Sequence, residues 1–133
     1  MGQFKVFIFA SIVAFFMDLA TKQLAVIASW VMVINNSGGL LHLPPLAFIA
    51  VAVAVTLSAI ALIRHRPDIP FGIPCGLAVG GTWGNVIGGG IDFIPVGGEF
   101  YANLADFMIW AGVGMIWLVV LRQFWLEKRC HNE

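Results

Sequence analysis

Two aspartates in an otherwise apolar chain are the residues best suited to chemistry. Asp92 lies in the apolar run Ile91–Pro95, and Asp106 stands near the start of the next apolar stretch. Two carboxylates that share a site do not both ionise easily, so one holds a proton as the acid while the other acts as the base. Such a pair can activate a water molecule and protonate a leaving amine. We assign the base to Asp106 and the acid to Asp92, although the roles of a coupled pair are interchangeable.

Four further polar residues stand in or beside apolar stretches, and each also has a purely structural explanation. Asp18 and Lys22 are spaced i, i+4, so they share a helix face and can form a neutralising ion pair. Asn85 can make an interhelical hydrogen bond. Asn103 has the spacing of an N-cap, and the carboxylate of Asp106 would then meet the positive end of the helix dipole. The sequence leaves open whether these four residues only support the fold or also belong to a site.

The chain that carries these residues has the composition of a membrane protein. Of its 133 residues, 60% are hydrophobic and 11% are charged, and the mean hydropathy is +0.94. Soluble domains average about 45–50% apolar and about 25% charged residues. The 7 basic residues balance the 7 acidic ones, so no basic field attracts nucleic acid. Two cysteines are too few for a disulfide scaffold. We expect residues 1–133 to form one membrane-embedded domain.

Four apolar stretches predict an all-α membrane protein with four transmembrane helices, at about residues 4–25, 46–63, 71–87 and 104–121. About 20 helical residues cross a hydrocarbon core of about 30 Å, so the third stretch is marginal in length. Loops are predicted at 30–45, 64–70 and 88–103. The third stretch has a glycine at every fourth position from Gly72 to Gly84, which favours close packing against a neighbouring helix.

The basic residues predict the orientation of these helices. All but one of the Lys and Arg residues fall on one side of the predicted spans: Lys5, Arg64, Arg66, Arg122, Lys128 and Arg129. By the positive-inside rule both termini are cytoplasmic, and the loops at 30–45 and 88–103 face outward. We expect them to form a small extracytoplasmic loop and strand region that carries the site. A cleavable N-terminal signal is the less favoured interpretation, because Asp18 and Lys22 interrupt its apolar run.

Other catalytic or metal chemistry has little basis in the sequence. His42, His65 and His131 are scattered without metal-ligand spacing. Ser37 and Cys75 have no base nearby in the sequence, and no phosphate-binding loop is present. We therefore expect neither a metal ion nor a cofactor.

Five short segments, none of them specific alone, lie in order along the chain: DLATK at 18–22, NSGGLL at 36–41, GGTWGN at 80–85, DFI at 92–94 and FYANLAD at 100–106. In this order they resemble the D-x-x-[ST]-K, N-x-G-x-x-F, GG-x-x-GN, V-x-D-F-I and F-N-x-A-D motifs of the lipoprotein signal peptidase family, also called signal peptidase II. The D-R pair that usually follows the family's GN is missing, and Leu41 replaces the phenylalanine. The chain therefore resembles a short and divergent member.

The resemblance implies an aspartic endopeptidase of the bacterial inner membrane, which removes signal peptides from diacylglyceryl-modified prolipoproteins by cleaving before the lipidated cysteine. It implies that Asp92 and Asp106 are the catalytic pair. Supporting or substrate-binding roles are implied for Asp18, Lys22, Asn36, Gly84, Asn85, Asn103 and Ala105. The expected partners are prolipoprotein signal peptides and membrane lipids, and we expect a monomer.

Two other functions stay open from the sequence. A small four-helix, proton-coupled transporter would also embed an acid, for which Asp18 is best placed. Against it, the acids cluster toward one side, whereas an alternating-access site should lie near the midplane. A catalytically silent assembly protein would instead use the glycine stripe to bind a partner helix, and Gly80→Leu would then disrupt assembly.

Overall fold

The described part of the chain forms four α-helices and four short strands. The computed structural model describes residues 2–28, 32–35, 44–98 and 100–130. The helices are α1 (Gln3–Ile27), α2 (Pro45–His65), α3 (Gly72–Gly88) and α4 (Leu104–Cys130). The strands are β1 (Ile34–Asn35), β2 (Ile91–Asp92), β3 (Ile94–Gly97) and β4 (Phe100–Ala102). All four predicted helices are present, and their starts agree with the predicted ones to within one residue.

Three of these helices are long and apolar enough to cross a membrane. Among the described residues they are Gln3–Ile27, Leu46–His65 and Leu104–Leu126, with mean hydropathies of 1.9, 2.8 and 2.1. Large apolar side chains point outward from them, and Phe9, Leu57 and Trp117 are 63%, 61% and 63% exposed. Such faces are unsuited to water and suit a lipid environment. The chain therefore has the character of a helical membrane protein.

The short helix α3 lies at the centre of the bundle, where it contacts α1, α2 and α4. Its glycine stripe faces short side chains of α1: a Cβ at Gly80 would lie 2.7 Å from the Ala14 Cβ and would clash with the Ser11 backbone oxygen. On its other face, a Cβ at Gly81 would lie 2.6 Å from the Ala105 carbonyl oxygen of α4. The prediction of close helix packing is confirmed, and the stripe's partner is a helix of the same chain.

A small apolar core joins α1, α2 and α3 at the end of the bundle that carries Arg64. Its buried members are Phe7, Ala59, Ile63, Ile69, Phe71, Cys75 and Val79. At the same end, the side-chain oxygen of Gln3 accepts the N–H of Gly72 at 3.0 Å and so caps the start of α3. These contacts fix α1 against α3 at the end opposite Asp92 and Asp106.

The strands lie at the other end of the bundle and place Asp92 beside the start of α4. β1 pairs with β2 in antiparallel register, with Ile34 opposite Asp92. β3 pairs with β4, and the N–H of Phe93 donates to the carbonyl oxygen of Ala102 at 3.1 Å. Gly89, with φ 70° and ψ 173°, allows the abrupt turn from α3 into β2. The predicted loop at 88–103 thus contains three strands.

The end of α4 differs from the sequence prediction. The predicted span ends at residue 121, but the apolar part of the helix reaches Leu126 and α4 continues to Cys130. The added turns contain Leu126 and Lys128, which are good helix formers, so the helix continues beyond the predicted span. Hydropathy therefore located the apolar span and missed the helix end.

Candidate active site

The two candidate catalytic aspartates come from different elements that meet at one end of the bundle. Asp92 is the last residue of β2 and is buried, with 6% of its surface exposed. Asp106 lies in the first turn of α4 and is half-buried. The short turn at Gly89 and the pairing of β1 with β2 therefore set the position of Asp92, while the start of α4 sets the position of Asp106.

Asn103 contacts both aspartates. Its side-chain amide Nδ2 donates to Asp92 Oδ1 at 2.7 Å, and its backbone N–H donates to Asp106 Oδ2 at 3.0 Å. In return, the N–H of Asp106 donates to Asn103 Oδ1 at 3.1 Å. The bond from the Asp106 N–H confirms the predicted N-cap role of Asn103, and the return bond from the Asn103 N–H completes a capping box. The bond to Asp92 goes beyond capping, because it ties the carboxylate of β2 to the start of α4.

Asn85 supplies the second donor to Asp106. Its Nδ2 lies 2.8 Å from Asp106 Oδ1, so both carboxylate oxygens of Asp106 accept N–H hydrogen bonds. An ionised carboxylate is an acceptor only, and these two donors match it. The interhelical hydrogen bond predicted for Asn85 is confirmed, since it joins α3 to α4.

The predicted ion pair between Asp18 and Lys22 is present, with 2.7 Å between Asp18 Oδ2 and Lys22 Nζ. Both residues are almost fully buried, at 0% and 1% exposed. Lys22 Nζ also donates to Asn85 Oδ1 at 3.0 Å and to the carbonyl oxygen of Gly84 at 3.2 Å. Asp18 Oδ1 accepts the backbone N–H of Ala105 at 2.9 Å. The pair therefore bonds to α3 and α4 in addition to neutralising itself.

Gly84 and Ala105 bond to the ion pair through their backbone groups, and Gly84 leaves room for Asp18 because it has no side chain. A Cβ at Gly84 would lie 2.7 Å from Asp18 Oδ2, so a larger residue there would displace the carboxylate. Ala105 is fully buried, and its N–H is the group that Asp18 binds. The pattern of polar side chains does not predict these backbone contacts. The motif resemblance singled out both residues, and the glycine stripe also included Gly84.

The structure thus brings together Asp18, Lys22, Gly84, Asn85, Asp92, Asn103, Ala105 and Asp106 in one hydrogen-bonded array. The predicted supporting residue Asn36 lies outside the described residues, as do Ser37 and His42. The sequence interpretation overlooked Ile34, whose pairing opposite Asp92 brings the segment after α1 to the site. Across the described ranges, no group of three or more His, Cys, Asp or Glu residues could hold a metal ion.

The residues assigned to the two alternative functions are engaged within the chain. Both oxygens of Asp18 have partners, Lys22 for one and the Ala105 N–H for the other. The glycine stripe faces α1, so that it already packs against a helix. Neither observation favours a proton-carrying acid at Asp18 or a second chain on the stripe.

Neither a family model, nor a curated protein, nor a solved structure matches this chain. The grounds for a function are therefore the array itself and the motif resemblance. Chemically, the array offers two carboxylates held by a common asparagine, a pattern suited to acid–base chemistry on one substrate.

Proposed function

We propose that the protein is an aspartic endopeptidase of the lipoprotein signal peptidase type, with Asp92 and Asp106 as the catalytic carboxylates. The observation that carries the proposal is the double contact of Asn103, which bonds to Asp92 through its side chain and to Asp106 through its backbone. Because one residue bonds to both carboxylates, it holds them near each other, as a pair that acts on one scissile bond requires. The order of the five motif segments supports the same assignment.

In the proposed reaction, Asp106 takes a proton from a water molecule whose oxygen attacks the carbonyl carbon of the scissile bond. Asp92 gives its proton to the carbonyl oxygen, which yields a tetrahedral diol. The diol then collapses, the C–N bond breaks, and the leaving amine takes up the proton held by Asp106 while Asp92 regains one from the diol hydroxyl. Asn85 and Asn103 donate hydrogen bonds to the two oxygens of Asp106, which therefore act as acceptors. This arrangement suits a carboxylate that serves as the base.

The proposed substrate is a diacylglyceryl-modified prolipoprotein, cleaved before its lipidated cysteine. Apolar side chains near the site remain exposed: Phe100 by 66%, Phe107 by 38% and Trp110 by 55%. Phe107 follows Asp106 directly, so an apolar surface adjoins the carboxylates. Such a surface suits a substrate whose acyl chains approach from the bilayer rather than from water.

We further propose that all four helices span the bacterial inner membrane, with both termini cytoplasmic and the site on the extracytoplasmic side. The 17 residues of α3 would extend about 26 Å, slightly less than a hydrocarbon core of about 30 Å. Because the longer helices pack around α3, they would shield its ends from lipid. Arg64 and Arg66 stand at the end away from the carboxylates, which supports this orientation.

Cleavage of a diacylglyceryl-modified prolipoprotein by the purified protein tests the proposal. We expect the wild type to release the signal peptide, and Asp92→Asn and Asp106→Asn each to lower kcat by roughly 10²–10⁴-fold. Asp68→Asn is the matched control, because this carboxylate is exposed in the loop between α2 and α3 and should not change cleavage. Wild-type activity in Asp92→Asn, or no cleavage by folded wild-type protein, would contradict the proposal.

A further inference from the structure

The ammonium group of Lys22 is buried and has three close oxygen neighbours. It forms an ion pair with Asp18 Oδ2 at 2.7 Å and donates hydrogen bonds to Asn85 Oδ1 at 3.0 Å and to the Gly84 carbonyl oxygen at 3.2 Å. A neutralising partner for Asp18 would need only the first of these contacts. The other two join the ammonium to the end of α3, where Asn85 stands.

The contact between Lys22 and Asn85 determines which way the Asn85 amide faces. An ammonium group has donors and no acceptor, so only the amide oxygen of Asn85 can bind it favourably. The amide nitrogen must then face the other way, and it lies 2.8 Å from Asp106 Oδ1. A flipped amide would place its oxygen against the Asp106 carboxylate and its NH₂ against the Lys22 ammonium, so both contacts would become repulsive.

We infer that Lys22 is a positioning residue, which fixes the direction of the Asn85 amide and through it holds Asp106 for the reaction. The inference deepens the proposed function and rests on it for its catalytic consequence. It differs from the simpler role in which Lys22 only neutralises Asp18. The two roles predict different behaviour when both charges of the ion pair are removed together.

The double variant Asp18→Asn/Lys22→Met separates these roles. It leaves no unpaired buried charge, and the new amide oxygen at position 18 can still accept the Ala105 N–H. If Lys22 orients Asn85, we expect kcat for prolipoprotein cleavage to fall roughly 10- to 100-fold. KM should stay within about twofold, because the lost contact acts on the base and not on substrate binding.

Thr56→Val is the matched control for this double variant. Thr56 Oγ1 accepts a hydrogen bond from Trp83 Nε1 at 3.0 Å, so the substitution also breaks a side-chain bond to α3 from a neighbouring helix. Trp83 lies two residues before Asn85, but its bond to Thr56 does not involve the amide of Asn85. We expect Thr56→Val to keep both kcat and KM.

A spectroscopic measurement tests the inference without any cleavage assay. In ¹⁵N-labelled protein in detergent, the side-chain NH₂ resonances of Asn85 can be identified by their loss in Asn85→Ala. We expect them to shift and to exchange with solvent faster in Asp18→Asn/Lys22→Met, because the amide is then free to turn. They should stay unchanged in Thr56→Val.

The possible outcomes separate the inference from the proposed function. Unchanged Asn85 resonances and a wild-type kcat in the double variant would overturn the inference about Lys22. The endopeptidase proposal would still stand in that case if Asp92→Asn loses cleavage. If the folded wild type does not cleave the prolipoprotein, the proposed function fails. The Asn85 resonances then decide whether Lys22 sets the direction of this amide.

Discussion

The carboxylate of Asp18 in α1 accepts the backbone N–H of Ala105 in the first turn of α4, with 2.9 Å between the oxygen and the nitrogen. The first N–H groups of a helix have no partner within the helix, and here one of them is satisfied by another helix. A negative charge at this point also complements the helix dipole. Because Ala105 directly precedes Asp106, the contact fixes the start of the helix that carries a candidate catalytic carboxylate.

Removing the charge of Asp18 alone should strongly destabilise the protein. Asp18→Asn leaves the ammonium of Lys22 buried with only neutral acceptors, and breaking one partner of a buried pair costs about 3–5 kcal/mol. We expect a clear fall in the thermal unfolding midpoint in detergent. The double variant Asp18→Asn/Lys22→Met should unfold closer to the wild type than Asp18→Asn does, because it leaves no unpaired charge buried at this pair. A single variant as stable as the wild type would contradict the buried ion pair.

Asn103 has two tasks that one substitution can separate. Asn103→Ser keeps a good N-cap for α4, but its shorter side chain cannot reach both the N–H of Asp106 and the carboxylate of Asp92. We expect stability to stay close to that of the wild type and cleavage activity to fall roughly 10- to 100-fold. Thermal unfolding and kcat, measured on one preparation, check the two effects.

Asn103→Ala provides the comparison for this variant. It removes the cap as well as the bond to Asp92, so it should lose about 1 kcal/mol more stability than Asn103→Ser. Activity should fall similarly in both variants. Equal kcat in wild type and Asn103→Ser would show that the bond to Asp92 has no part in the reaction.

The sequence predicted the elements of this fold better than the contacts between them. Apolar runs locate helices because burial in lipid requires them, and Asn103 caps the start of α4 as its spacing predicted. The ion pair of Asp18 and Lys22 was also predictable, since it depends only on spacing within one helix. These predictions depended only on sequence patterns within single helices.

Contacts made by backbone groups or across distant elements were not predictable in the same way. The pairing of Ile34 opposite Asp92 and the bond from the Ala105 N–H to Asp18 depend on how separate elements pack. The polar character of Asn85 indicated an interhelical bond, but a single sequence does not specify that it bonds to both Lys22 and Asp106. The arrangement of the site therefore follows from tertiary packing.

The close approach of α1 and α3 predicts that Gly80→Ala destabilises the protein. The added Cβ would clash with the backbone oxygen of Ser11 and lie 2.7 Å from the Ala14 Cβ, so the helices would have to separate. We expect a loss of about 1–3 kcal/mol in unfolding free energy. Gly114→Ala is the control, since nothing lies within 4 Å of its added Cβ in α4. An unchanged or raised stability is expected there, because alanine favours a helix.

The turn after α3 predicts a different effect at Gly89. Its φ of 70° and ψ of 173° fall in a region that only glycine adopts readily, and no atom lies within 4 Å of an added Cβ. Gly89→Ala should therefore cost about 1–3 kcal/mol through backbone strain alone. Since β2 begins two residues later, relief of the strain would also move Asp92 relative to Asn103. We expect kcat to fall together with the unfolding midpoint, and Gly114→Ala to change neither. A Gly89→Ala protein with wild-type stability and kcat would show that the turn from α3 into β2 does not require a positive φ.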